Sequence, residues 1–128
     1  MKLLLDTHVL LWVAVGSRRL SNEAKAILED SGNTPFFSVA SLWEIAIKHA
    51  LRRGDFGVDP SRLRVGLLNN GYVEIAITGE HAVSVGTLPA LHKDPFDRML
   101  LAQARAESMV LLTADRKLAK YGGPVRLV

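Results

Sequence analysis

Leu3-Leu4-Leu5-Asp6-Thr7-His8, close to the start of the sequence, is the stretch that decides the fold. A short leucine run that stops at a carboxylate is typical of a buried parallel strand with an acid at its carboxyl end. Ligands of open α/β sheets bind at the carboxyl ends of the strands. We therefore expect Asp6 to lie in a functional site, beside acids that other strands bring to the same edge.

Apolar runs and helix-capping signals extend this strand into an α/β pattern. Four further strands are predicted over residues 36–39, 73–77, 109–112 and 125–128. Helices are predicted over residues 8–15, 22–30, 41–53, 61–68, 80–85, 95–107 and 116–120. Because strands alternate with helices, we expect a three-layer α/β/α sandwich with a mostly parallel central sheet. Residues 1–128 are predicted to form a single domain.

The composition limits the kinds of metal site, partner and location that the chain can have. Since the sequence has no cysteine, a disulfide framework and a thiolate metal site are excluded, and any metal must be held by oxygen or histidine. The net charge of +3 suits an anionic partner, but it is equally compatible with ordinary surface charge. The apolar start resembles a signal peptide, yet Asp6 and His8 interrupt it, and no apolar run approaches the roughly 18 residues of a membrane span. We expect a cytoplasmic protein with no membrane segment.

Four carboxylates are candidates for a site, and two of them also have local explanations. Asp115 follows the fourth predicted strand as Asp6 follows the first, so a parallel sheet would bring both to one edge. Glu44 stands three residues after Ser41, which is the spacing of a capping box, and capping is favoured on spacing alone. Asp97 lies in the first turn of a predicted helix, where the helix dipole favours an acid whatever its function.

The histidines do not extend this set. None of the four stands at a ligand spacing from another, so any metal cluster is expected to consist of acids alone. Asp94, directly before Pro95, is interpreted as a helix N-cap rather than a site residue. Clustered carboxylates favour a hard divalent cation such as Mg²⁺ or Mn²⁺.

Taken together, four stretches of the sequence resemble the PIN-domain family, and more narrowly the VapC-type toxin ribonucleases of type II toxin–antitoxin systems. The stretches are residues 3–8 (LLLDTH), 41–48 (SLWEIAIK), 92–104 (HKDPFDRMLLAQA) and 112–115 (LTAD). Their order and spacing carry the resemblance over the whole chain. It implies a PIN-like fold and an endoribonuclease, in which water activated by Mg²⁺ or Mn²⁺ cleaves RNA phosphodiester bonds.

The resemblance also implies roles for individual residues. The acids that would hold the metal and act in catalysis are Asp6, Glu44, Asp97 and Asp115. Asp115 is the least secure of them, because the fourth acid is the least constant in such families. Thr7 and Thr113 are expected to support the site by orienting a carboxylate or a water molecule. Lys48, Arg98 and Arg116 are expected to bind the RNA backbone, although ordinary helix-surface pairing explains each of them equally well.

The resemblance further implies two protein partners, a small cognate antitoxin and a second copy of the chain in a homodimer. Apolar residues near the acids would supply the antitoxin groove or the dimer face: Trp12, Trp43, Ile47 and Leu51. On helical spacing alone, a place in the core is favoured for these side chains.

Two other functions remain open from the residues. A phosphotransfer or phosphatase domain also uses a strand-end aspartate with Mg²⁺, although such phosphatases place a second aspartate where His8 stands. A non-catalytic RNA-binding module could use the same fold.

Overall fold

The five strands of the central sheet all run parallel. The structure is a computed structural model, and it describes residues 1–128 except the side chain of Asp55. They are β1 (Lys2–Leu5), β2 (Thr34–Ser38), β3 (Val73–Ile75), β4 (Val110–Thr113) and β5 (Val125–Leu127). Their order across the sheet is β3-β2-β1-β4-β5. The α/β sandwich with a parallel sheet is therefore confirmed.

Seven helices connect and cover the strands. They are α1 (Thr7–Val15), α2 (Asn22–Glu29), α3 (Val39–Ala50), α4 (Pro60–Asn69), α5 (Gly79–Ser84), α6 (Pro95–Ala106) and α7 (Arg116–Ala119). Two 3-10 turns, Gly54–Phe56 and Val85–Thr87, complete the described elements. None of the helices within the described residues combines the length and hydropathy that a membrane span requires.

The leucines of β1 explain the three layers. Leu3 and Leu5 pack into one apolar core with α1 and α4, whereas Leu4 packs into a second core with α6. All three side chains are completely buried, because successive residues of a central strand point to opposite, covered faces. Burial on both faces is the reason that the strand reads as a continuous apolar run.

The start of α3 differs from the prediction. The helix begins at Val39, and the hydroxyl of Ser38 caps it by accepting a hydrogen bond from the N–H of Ala40 at 3.0 Å. Ser41 lies inside the first turn, buried, where it accepts a bond from the Thr7 hydroxyl. The expected capping box of Ser41 and Glu44 is therefore wrong, since the helix starts two residues earlier and leaves Glu44 for another role.

The strand order creates a crevice beside β1. The connections leave β1 toward β2 and β3, and the chain then crosses to β4 on the other side, so the order reverses between β1 and β4. The N–H of Asp6 donates to the carbonyl of Leu112 at 3.0 Å, which continues the β1–β4 pairing to the carboxyl edge. Such a reversal is where parallel sheets bind ligands.

Candidate metal centre

Asp6 is fixed at the end of β1 by the helix that follows. It is the N-cap of α1: its Oδ1 accepts a hydrogen bond from the N–H of Val9 at 2.9 Å. Its Oδ2 accepts a short bond from the hydroxyl of Thr113, the last residue of β4. Only 4% of Asp6 is exposed, and this burial raises the pKa of its carboxyl group. The carboxylate is thus held rigidly and at an electrostatic cost in the crevice.

Glu44 projects from the second turn of α3 and is 3% exposed. Its Oε2 accepts a hydrogen bond from Lys48 Nζ at 2.5 Å, and the same ammonium lies 4.9 Å from the ring centre of Phe56. Its Oε1 is the one buried side-chain N or O atom, among the described residues, that has no hydrogen-bond partner. A buried carboxylate oxygen without a partner is costly, and a cation would satisfy it.

Asp97 comes from the first turn of α6. Asp94 caps this helix by accepting from two backbone N–H groups, so the interpretation of Asp94 as the cap is confirmed and Asp97 is not needed for it. Burial raises the pKa of Asp97 to about 8, and neighbouring negative charges add to the shift. Those charges belong to Asp94, Asp6, Glu44 and Asp115. The four predicted acids therefore form one electrostatic cluster.

Asp115 follows β4 and caps α7, where its Oδ1 accepts from the N–H of Lys117 at 2.8 Å. Burial alone would raise its pKa, but the hydrogen bonds from His92 and Lys117 outweigh this effect and lower it. Thr113 connects this acid to the first one, because its hydroxyl accepts from the N–H of Asp115 at 3.0 Å and donates to Asp6.

His92 is the site residue that sequence reasoning missed. Its Nε2 lies 2.8 Å from Asp115 Oδ2 and 3.3 Å from Asp97 Oδ2. The three residues bring potential ligand atoms within 4.8 Å of one another. His92 therefore lies among the acids of this centre and contacts two of them. Spacing rules could not reveal it because a loop, not a helix face, returns His92 to the acids; its only signal was its position in the stretch 92–104.

The supporting and basic residues are placed in different ways. Thr7 donates to Ser41 at 3.1 Å and so ties α1 to α3, whereas Thr113 contacts the acids themselves. The Arg98 guanidinium donates to the carbonyl oxygens of the loop before α6 and to a tyrosine hydroxyl, which makes it a brace for that loop. Arg116 is exposed next to Asp115.

Apolar side chains of α3 and of its C-cap, Leu51, lie on the surface. Trp43 is 58% exposed, Ile47 39% and Leu51 60%, so the favoured place in the core is wrong for these three. Helical spacing predicts which residues share a face but not whether this chain covers it. Trp12, by contrast, is partly buried and packs against the core. The Trp43 ring meets that of Phe96 edge-on, with 5.2 Å between centroids.

The donor set fits a hard divalent cation. Carboxylate oxygens are the ligands that Mg²⁺ and Mn²⁺ prefer, and the free Oε1 of Glu44 lacks only such a partner. Burial is the main cause that raises the pKa values of Asp6 and Asp97, and repulsion by neighbouring carboxylates adds to it. A bound cation would relieve both effects.

The sequence matches the model of the PIN domain family over residues 3–124. None of the curated proteins compared with the sequence matches it. The structure is similar to the VapBC2 complex from Rickettsia felis bound to a promoter DNA fragment, with 18% identity over 100% of this chain and 98% of that one and a TM-score of 0.71.

Two further solved structures are similar. A toxin–antitoxin complex from Klebsiella pneumoniae has 23% identity over 96% of this chain and 94% of that one, with a TM-score of 0.67. The sarcin–ricin loop cleaving toxin VapC20 from Mycobacterium tuberculosis has 13% identity over 94% of this chain and 95% of that one, with a TM-score of 0.64. At these identities the likeness shows a shared fold.

Proposed function

The chain belongs to the PIN-domain family, and from this premise we propose that it is a metal-dependent endoribonuclease, the toxin of a type II toxin–antitoxin pair. The clustering of acids at the carboxyl edge of the sheet carries the proposal. Thr113 bonds to both Asp6 and Asp115, His92 lies within 3.3 Å of Asp115 and Asp97, and the charge of Glu44 acts on Asp97. Similar folds in toxin–antitoxin complexes and in an RNA-cleaving toxin support the more specific role.

The proposed reaction is hydrolysis of an RNA phosphodiester bond. Mg²⁺ or Mn²⁺ bound at the cluster supplies charge neutralisation at the phosphate and lowers the pKa of water. The chain's own residues hold the carboxylates in place: Thr113 anchors Asp6, and Lys48 anchors one oxygen of Glu44. Attack by water needs no 2′-hydroxyl, so a preference for RNA has to come from contacts outside the reacting phosphate.

Unpaired lysines beside the cluster are suited to hold the RNA backbone. A cavity of about 350 Å³ is lined by three lysines, Lys93, Lys117 and Lys120, together with Leu91, His92 and Asp94. No carboxylate of the described residues forms an ion pair with these three. Together with Arg116 they form the substrate surface that we propose. Lys48 and Arg98 are already engaged, by Glu44 and by loop carbonyls, and we assign them less of this role.

The double variant Lys117→Gln/Lys120→Gln is expected to bind single-stranded RNA more weakly and with a smaller dependence on salt. Each lost phosphate contact lowers the slope of log affinity against log salt by about 0.7. Fluorescence anisotropy with a chelator present measures binding without cleavage. Lys2→Gln, at the opposite edge of the sheet, is the matched control. An unchanged slope in the double variant would rule out these lysines as phosphate contacts.

The purified protein is expected to cut RNA internally with Mg²⁺ or Mn²⁺ and to stop when a chelator removes the metal. Hydrolysis by water should leave a 5′-phosphate, which mapping of the cleaved ends detects. Restored cleavage after excess Mg²⁺ is added back controls for damage by the chelator. RNA binding without any metal-dependent cleavage would favour a non-catalytic module instead.

We also infer that the exposed apolar residues of α3 are covered by protein, either a small antitoxin or a second copy of the chain. Trp43, Ile47 and Leu51 follow one another at steps of four and are all exposed, and apolar residues exposed together mark interaction surfaces. Light scattering of the purified chain tests the homodimer, and co-purification with the product of a small neighbouring gene tests the antitoxin. We propose a cytoplasmic location for the chain, because both of its proposed partners, RNA and a small antitoxin, are found there.

A further inference from the structure

We propose that His92 is a positioning residue of the metal centre: its Nε2–H holds the carboxylate of Asp115 against that of Asp97, and the ring does not bind the cation. This inference rests on the metal binding in the proposed function, but not on RNA cleavage. The alternative is that His92 Nε2 is itself a ligand, as its distance from the two acids allows.

The protonation of the ring is decided by its other nitrogen. The backbone N–H of Asp94 lies 3.0 Å from His92 Nδ1, and a backbone N–H can only donate. Nδ1 must therefore present its lone pair to Asp94, and the proton of the ring is on Nε2. This leaves neither nitrogen with a free lone pair, which a metal ligand requires. The Nε2–H instead donates to Asp115 Oδ2 at 2.8 Å, and Asp97 Oδ2 lies 3.3 Å from the same nitrogen.

The loop that carries His92 is held in place from outside the centre. The hydroxyl of Tyr121 accepts from the N–H of His92 at 3.1 Å and donates to the carbonyl of Pro89 at 2.8 Å. Arg98 donates to the same hydroxyl at 3.0 Å and to the carbonyl of Pro89 at 2.9 Å. These bonds fix the backbone on both sides of the imidazole. The orientation of the ring is thus built into the fold and does not depend on the acids.

The Nε2–H of His92 keeps the side chain of Asp115 in the cluster of acids. The side chain of Asp115 is 39% exposed and that of Asp97 18%, so Asp115 is the acid with more freedom to turn toward solvent. Carboxylates close to each other repel, and an N–H donor held between Asp115 and Asp97 offsets this repulsion. Without His92, we expect Asp115 to leave the cluster. Loss of such supporting partners typically weakens metal binding by 10–100-fold.

Calorimetric titration of the metal-free protein with Mn²⁺ is the first test. His92→Ala is expected to weaken Mn²⁺ binding by about 10–100-fold. His92→Gln, whose amide N–H reaches to a similar point, is expected to recover affinity to within about fivefold of the unmodified protein. Arg105→Gln, on the exposed surface near the opposite end of α6 from Asp97, is the control and should not weaken binding. Thermal unfolding of each variant checks that the fold is retained.

The tautomer distinguishes the donor from a ligand. In long-range ¹H–¹⁵N spectra of histidine-labelled protein, Nε2 of His92 is expected to remain protonated at saturating Mg²⁺. Loss of that proton on Mg²⁺ binding, or unchanged Mn²⁺ affinity in His92→Ala, would overturn the inference. Neither measurement involves RNA. A protein that passes both tests and fails to cleave RNA would contradict the proposed function alone.

Discussion

Asp6→Asn is expected to lower the rate of Mg²⁺-dependent RNA cleavage by about 1000-fold or more while the fold stays intact. The amide retains the shape of the side chain and an oxygen that can accept from the N–H of Val9, but it loses the negative charge. A weakly held metal ion would stabilise the transition state less by several kcal/mol. Each 1.36 kcal/mol lost lowers the rate tenfold. Because burial already raises the pKa of Asp6, a neutral side chain should not destabilise the metal-free protein.

Initial rates on a defined RNA, with circular dichroism to check folding, measure this effect. Asp30→Asn is the matched control: Asp30 is an exposed acid that only caps a turn at Gly32, and its variant should cleave at the normal rate. Cleavage by Asp6→Asn near the normal rate, in a preparation free of other nucleases, would remove Asp6 from the reaction.

The metal-free protein is expected to lose stability as the pH rises from about 4 to about 8. The pKa of Asp97 is about 8 in the folded protein and near 3.8 when the chain is unfolded. Between these values the unfolded chain releases a proton that the folded protein keeps, so the free energy of unfolding falls with pH. The contribution of Asp97 is complete below pH 4 and is lost as the pH passes 8. Asp6 acts in the same direction, since its pKa is also raised.

Asp97→Asn removes most of this dependence. At pH 8 we expect the metal-free variant to be at least about 1 kcal/mol more stable than the unmodified protein, or roughly 4 °C higher in Tm. Added Mg²⁺ should stabilise the unmodified protein more than the variant, because the variant lacks one carboxylate ligand and binds the ion more weakly. Thermal unfolding with a chelator or with Mg²⁺, from pH 5 to pH 8, measures both effects. A variant with the same pH slope as the unmodified protein would contradict the raised pKa.

The part of the site that follows from strand geometry was predictable. Asp6 and Asp115 end apolar runs, and parallel strands place such ends at one edge, so residue order alone brought them together. Glu44 and Asp97 were not predictable in this way. Each lies where helix capping or the helix dipole explains an acid, and only the resemblance to a family made them candidates. The structure caps α3 with Ser38 and α6 with Asp94, as predicted for α6, and Asp97 lies in the first turn, where the helix dipole also favours an acid.

The start of α3, the position of His92 and the exposure of Trp43 depend on tertiary contacts, which the periodicity of apolar residues does not predict. Ser38 and Ser41 are equally good caps by composition, and the choice between them depends on where β2 ends. His92 reaches the acids through a loop whose path depends on Arg98 and Tyr121. Trp43 shares the spacing of core residues, but within this chain only part of its surface is covered.

The pairing of β1 with β4 has a consequence during protein synthesis. Thr113 bonds to Asp6 across 107 residues of sequence, so the first and last parts of the centre are made far apart in time. A ribosome that has made Asp6, Glu44 and Asp97 still carries a chain in which the central strand lacks its neighbour and Asp6 lacks its anchor. The proposed metal centre therefore cannot be complete until translation has passed Asp115.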